Sequence, residues 1–313
     1  MITYRIPPQI KGYFLVIVSS LLFSLEFTLL KYTLRQYPEI DKVNLLLWGF
    51  LGVSLLASPI YLLHPGLRQK VVTTTKKHGK FIPIIISLNT VAIYYWLQGL
   101  AKSSLGSFTL LVKSSILFSL VLGAVFLKER LNRGEILGFA ISILGLYLLS
   151  TIPGDFPANT IYQILSASFL FSLQTFMLKK FTPGIDGKSY TYLRSWLLGL
   201  MFLLYQIFIG KLQLLPLPLI GMSILTFGIG VILARTLQID AMPYLSISHL
   251  YLFALVEPSV SIISSSIFFN EQMPFDKILG IVCVFCGLVL VFIMKAKESV
   301  DGSRNSGKDK PEN

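Results

Sequence analysis

Charge is what this chain has least of. Only 13% of its 313 residues are Asp, Glu, Lys or Arg, and 54% are hydrophobic. Soluble globular chains carry about 25% charged residues, so the usual coat is half missing. Mean hydropathy is +0.71. These values exclude a cytosolic enzyme, a secreted disulfide scaffold and a disordered tail protein. Acidic residues are scarcer than basic ones, 15 against 27, leaving a net charge of +12. On a soluble chain that excess suggests nucleic acid. In a chain this apolar it fits loops that orient helices in a bilayer, and no nucleic-acid partner is expected.

Other chemistry is missing too. The two cysteines, Cys283 and Cys286, lie together in one apolar run, so no disulfide framework follows. Apolar surroundings raise a thiol's pKa and no histidine is near, so a redox or metal role is not expected there. The chain has no Walker motif, no H-E-x-x-H, no G-x-S-x-G and no Gly-rich phosphate loop followed by Lys. No metal, no cofactor and no enzyme activity are expected, and ATP-driven work by this chain alone is disfavoured.

Long apolar runs are what the chain has in quantity. A membrane helix needs about 20 apolar residues to cross the hydrocarbon core. Ten stretches qualify, at about 12–31, 44–63, 81–100, 105–127, 134–152, 161–180, 190–210, 214–237, 245–269 and 277–294. They are too long for the alternating strands of a barrel. The first is not a cleaved signal peptide, because Glu26 and Lys31 stand where a small-residue cleavage site belongs. The last segment, 295–313, is Lys, Glu, Ser, Gly and Asp and reads as a disordered cytoplasmic tail. With residues 1–11 inside, 20 basic residues fall on the inner side and 6 on the outer. That split puts both termini in the cytoplasm of a multi-pass protein of the cell membrane.

Comparison of the two halves reveals a repeat. Residues 126–149 read FLKERLNRGEILGFAISILGLYLL and residues 268–291 read FFNEQMPFDKILGIVCVFCGLVLV. Glu129, Gly138 and Gly145 fall on Glu271, Gly280 and Gly287 at an offset of 142. Earlier, LLFSLEFTLLK (21–31) matches FLFSLQTFMLK (169–179) at an offset of 148, pairing Glu26 with Gln174 and Lys31 with Lys179. Polar and glycine positions recur, which shared hydrophobicity does not explain. The predicted fold is therefore an all-α polytopic membrane protein with ten transmembrane helices. It divides into five-helix repeats at 12–152 and 161–294. An odd span number forces the copies into opposite orientations. Inverted repeats are a transporter signature, with a site near the midplane between them.

L-K-E-R-L at 127–131 with its trailing glycines, L-V-E-P at 255–258 and N-E-Q at 270–272 resemble the EamA-type proteins of the drug/metabolite transporter superfamily. So do Phe23, Ser24, Phe27 and Lys31, and Phe171, Ser172 and Lys179. The resemblance implies a ten-helix transporter of metabolites, amino acids, nucleotide sugars or drugs, and it is poor for substrate. One departure stands out: the first copy has Ser115-Ile116 where the second has Glu257-Pro258, with Lys113 close by.

Ionisable groups inside a span cost about 2.5–3.5 kcal/mol each on insertion scales, so they mark cavities or partners. Glu26, Lys113 and Glu257 qualify. Glu26 sits about 7 Å and Lys113 about 12 Å below the outer helix ends, at 1.5 Å per residue. Either carboxylate can pair with Lys113 across a central cavity. His249, Phe253, Glu257, Ser261 and Ser264 fall on one face of a continuous helix. Asn89 lies mid-span, and Gln174 is the repeat mate of Glu26. Glu26, Asn89, Lys113, Gln174, His249 and Glu257 are the candidate substrate-binding residues. Lys31 and Lys179 at span ends, and Arg235 with Asp240 nearby, are candidate gate residues. Trp96 reads as an interfacial anchor, and Glu129 and Glu271 as helix-terminus carboxylates. The four repeated glycines read as a packing stripe.

These features point to a secondary active transporter of a small polar metabolite, amino-acid-like and exported, working by alternating access. Its partners are the solute, the bilayer and a proton or counter-solute, and a homodimer stays open. The rivals are an anion-selective exchanger for phosphorylated or nucleotide-linked solutes, and a non-transporting membrane assembly or signalling subunit.

Overall fold

The computed structural model describes residues 8–128, 133–150, 158–270 and 275–306. All regular structure among them is helical. Apolar surroundings offer the backbone no water, so each segment satisfies its own N–H and C=O groups. The elements are α1 (Pro8–Gln36), α2 (Lys42–Leu63), α3 (Pro65–His78), α4 (Ile82–Lys102), α5 (Leu105–Val112), α6 (Ser115–Phe126) and α7 (Arg133–Ser150). Then come α8 (Ala158–Phe181), α9 (Gly187–Phe208), α10 (Leu217–Phe227), a π-helical segment (Gly228–Ala234), α11 (Arg235–Ala241), α12 (Ile247–Phe253), α13 (Val256–Phe269) and α14 (Phe275–Ser306).

Among the described residues, six helical runs are long and apolar enough to cross a membrane: Pro8–Gln36, Lys42–Leu63, Ile82–Lys102, Asn159–Phe181, Leu217–Ala241 and Ile247–Phe269. Length and composition thus support a multi-pass membrane protein, with six of the ten apolar stretches meeting both criteria among the described residues. The fourth stretch is not one continuous helix. It divides into the short helices α5 and α6 around a turn at Lys113 and Ser114. At the other end, α14 outruns its apolar stretch and continues through Ser306. The Lys and Glu of that polar stretch are good helix formers. Residues 307–313 lie outside the described residues.

The repeat is visible in the devices that hold the helices. Asp41 caps α2 by accepting from the Asn44 amide at 2.8 Å, and Asp186 caps α9 by accepting from the Ser189 amide at 2.9 Å. Lys31 donates to the Leu100 carbonyl at 2.9 Å, in the last turn of α4. Its repeat mate Lys179 donates to the Leu245 carbonyl at 2.7 Å, beyond α11. The glycine stripe packs α7 on α14. A Cβ on Gly138 would lie 2.9 Å from the Gly287 carbonyl oxygen, and one on Gly145 would lie 2.7 Å from that of Gly280. Only glycine allows this approach. Because 138 meets 287 and 145 meets 280, the two helices cross antiparallel.

Large apolar side chains also cover the outside, among them Phe14, Leu56, Leu63 and Phe208, all exposed. On a water-soluble protein that much would be unusual; here it is the lipid-facing surface. Buried hydroxyls turn back onto their own helices, as Ser54 does to the Phe50 carbonyl at 2.7 Å.

Candidate functional site

A cavity of about 740 Å³, its mouth included, lies where α1, α4, α9, the π segment and the two broken helices meet. Its apolar wall with a few convergent polar groups suits a small-molecule site. Most of its wall is apolar. Phe27 packs on Trp96 with ring centroids 5.1 Å apart, and Phe50 on Phe227 at 4.9 Å. Five charged side chains interrupt that wall: Glu26, Lys113, Arg194, Arg235 and Glu257.

Two of the five come from helix breaks. α5 stops at Val112 and α6 restarts at Ser115, while α12 stops at Phe253 and α13 restarts at Val256. Shifted by 142, the first break lands within one residue of the second. Both are closed by short backbone bonds, from the Ile116 amide to the Lys113 carbonyl and from the Glu257 amide to the Ala254 carbonyl. Pro258 sits in the first turn of α13, where a missing N–H costs nothing. Across the cavity the Lys113 ammonium lies 2.8 Å from the Glu257 carboxylate, with both side chains 6% exposed. Of the two pairings open to Lys113, this is the one formed.

The other charges are held differently. The Arg194 Nε donates to the Asn89 Oδ1 at 2.7 Å, the Asn89 amide donates to the Gln174 Oε1 at 2.7 Å, and the Gln174 amide donates to the Tyr190 hydroxyl at 3.1 Å. This chain fixes a buried guanidinium that also lies over the Phe50 ring. Arg235 donates from Nη1 to the Gln238 Oε1 and lies over Phe23 at 5.3 Å. Its Nε has no hydrogen-bond partner. Glu26, 6% exposed, has neither a hydrogen bond nor an ion pair among the described residues. Its carboxylate lies against Gly230 of the π segment.

Several sequence-level expectations change here. Asn89 and Gln174 stand behind the wall, in the hydrogen-bond chain that reaches Arg194. His249 and Glu257 do not share a face, because the turn at Ala254 and Leu255 interrupts the helix. His249 faces Glu135 of α7 at 3.2 Å and binds Ser246, away from the cavity lining. Lys31 and Lys179 bind main-chain carbonyls. Arg235 and Asp240 do not pair; the Gly187 amide donates to Asp240 at 3.2 Å. Trp96 is a buried wall residue, not an interfacial anchor, because it lies on the inward face of α4. Arg194 and Arg235 belong to the cavity, not to inner loops. Arg194 falls inside the apolar stretch 190–210, so the cost of an intramembrane charge was the available signal. Glu129 and Glu271 lie outside the described residues. Cys283 and Cys286 are free thiols. Among the described residues no cluster of His, Cys, Asp or Glu is built to hold a metal.

The model of the EamA-like transporter family matches this chain twice, over residues 10–151 and 159–293. The chain belongs to the EamA-like transporter family. Among its relatives is the uncharacterized transporter YojE of Bacillus subtilis (strain 168), 24% identical over 92% of this chain and 95% of that protein. An uncharacterized transporter of Methanothermobacter thermautotrophicus is 24% identical over 71% of this chain and 70% of its own length. A solved crystal structure shares the fold with a TM-score of 0.71 at 12% identity, covering 90% of this chain and 98% of the other. The two family matches straddle the cavity, which takes Glu26 and Lys113 from the first and Arg194, Arg235 and Glu257 from the second. Membership gives a general transporter function in a lipid bilayer, acting on a small molecule.

Proposed function

We propose that this EamA-family chain is a secondary transporter that exports an amino-acid-like zwitterion by alternating access. In this reading ten spans form two inverted five-helix repeats in the cell membrane, with both termini cytoplasmic. The α5–α6 and α12–α13 pairs each count as one broken span. The antiparallel α7–α14 crossing and the matched caps, breaks and carbonyl-bound lysines favour inversion. Discontinuous helices around a midplane cavity are what such transporters use to bind polar solutes.

One observation carries the substrate class. Lys113 and Glu257 neutralise each other, which leaves the unpartnered Glu26 carboxylate and the Arg194 and Arg235 guanidiniums facing one cavity. A solute with an ammonium and a carboxylate complements both. A proton or counter-solute gradient supplies the energy, with Glu26 and the Lys113–Glu257 pair as the coupling groups.

Proteoliposome counterflow with labelled amino acids tests this. Wild-type protein is expected to exchange them, and Glu26→Gln and Lys113→Ala to lose at least tenfold in flux. Wild-type flux left unchanged by both substitutions removes the site assignment. The second reading, an anion-selective exchanger, draws on the lining's three cations against two carboxylates. Uptake of phosphorylated solutes with strict dependence on a counter-anion favours it; proton-driven amino-acid flux argues against it.

A further inference from the structure

We infer that the π-helical segment Gly228–Ala234 builds the ammonium subsite of the cavity, and that Gly230 is the positioning residue that sets the depth of the Glu26 carboxylate. This deepens the amino-acid-like reading and rests on it.

The argument starts from the backbone. Leu217–Ala241 is one apolar run, yet its middle seven residues are π-helical. A π turn is wider and less well bonded than an α turn, and such turns concentrate at functional sites. The run holds Gly228 and Gly230 inside that segment. Both glycines cost helix stability relative to alanine, so a packing reason is expected. They differ sharply in their surroundings. A Cβ on Gly228 would meet only Val53, at 3.9 Å. A Cβ on Gly230 would overlap the Glu26 carboxyl carbon and both of its oxygens. The bare face of Gly230 is therefore a slot, and the Glu26 carboxylate fills it.

What occupies the slot needs a partner of its own. Glu26 is 6% exposed and receives no hydrogen bond from the described residues. Its carboxylate opens on the cavity lining, where donors carried by a ligand can reach it. A primary ammonium carries three donors and a positive charge. Phe23 and Phe27, one turn before Glu26 and next to it on α1, line the same cavity. Their faces suit an ammonium as well. Arg235 on α11, directly after the π segment, waits with an unpartnered buried Nε for the opposite end of the solute. The π turn thus sets the spacing between the two poles.

The experiment uses proteoliposomes of the full chain and a labelled amino acid that the wild type exchanges. Gly230→Ala is expected to raise KM at least tenfold, because its methyl group displaces the carboxylate. Gly221→Ala, on α10 where an added Cβ meets nothing within 4 Å, is expected to stay within twofold of wild type. Glu26→Asp added to Gly230→Ala shortens the acid by one methylene and is expected to recover at least threefold of the loss. Inhibition by a des-amino analogue that keeps the carboxylate is expected to be unchanged in Gly230→Ala. If Gly230→Ala does not fold, the double variant must fold, since the clash is with Glu26. Gly230→Ala with wild-type KM, or a double variant with no recovery of transport or folding, overturns the inference. If the wild type exchanges no amine-bearing solute, the transport reading itself falls. If it does and Gly230→Ala is silent, only the positioning role falls.

Discussion

Replacing Lys113 with Met strands the Glu257 carboxylate. The two groups lie 2.8 Å apart with side chains 6% exposed. At an effective dielectric constant near 20, their attraction is about 6 kcal/mol. Removing each ion from water costs several kcal/mol, so attraction and dehydration nearly cancel and the pair adds little net stability. The single substitutions break that balance. Lys113→Met or Glu257→Gln abolishes the attraction while the remaining ion stays buried, a loss of about 3–5 kcal/mol. The double variant removes both dehydration costs and is expected within about 1 kcal/mol of the parent. Thermal unfolding in detergent reads the difference. Each single variant is expected to fall by about 6–10 °C and the double by under about 2 °C, at roughly 2 °C per kcal/mol for a chain of this size. Counterflow on the stable double variant then separates the roles. A pair that only staples the two helix breaks leaves flux intact. A pair that works as a coupling group in the transport cycle loses at least tenfold, which is the expected result. Single variants as stable as the parent would refute the reasoning, because the ion pair would then not be buried and mutually dependent.

Asn89→Leu removes the acceptor that orients the Arg194 guanidinium. KM for a carboxylate-bearing solute is expected to rise about tenfold, with a stability loss of about 1–3 kcal/mol for the unsatisfied buried donor; flux kinetics and thermal unfolding measure the two. Asp186 lies outside the spans. Burial pushes its carboxyl up, but the Ser189 amide and hydroxyl and the nearby Lys70 outweigh this and hold it below its ordinary value of 3.8. Its stabilisation is therefore fully present above that value and is lost as pH falls through the lowered one. Asp186→Ala is expected to cost about 1 kcal/mol at pH 7 and nothing more at strongly acid pH, read as a convergence of melting temperatures.

The repeat was legible because it is written in residues whose roles cannot be filled by generic apolar ones. Gly138 and Gly145 must be bare where α14 presses on them. Lys31 and Lys179 must reach carbonyls that a helix end leaves open. The helix breaks were half legible. Pro258 hints at the turn before α13, but nothing near Lys113 is Pro or Gly, so α5 and α6 read as one run. The turn there is joined to its counterpart through the Lys113–Glu257 contact, a partner 144 positions away that local pattern does not reveal. The same blindness misled the His249–Glu257 stripe, which assumes an unbroken helix.

The arginines fail for a different reason, and the reason is instructive. Counting cations by loop treats every basic residue near a span end as topogenic. Arg194 and Arg235 lie within the apolar stretches 190–210 and 214–237, where a charge is expensive. Lysine at such a depth can snorkel to the headgroups. A guanidinium anchored by Asn89 and stacked over Phe50 is fixed where it stands. The cost rule that singled out Glu26 and Lys113 therefore applies equally to the arginines. Applied to all five, it collects the full set of charges that line the cavity, and the excess of two guanidiniums over one free carboxylate is what gives the proposed solute its orientation: the ammonium toward α1 and the π segment, the carboxylate toward α9 and α11.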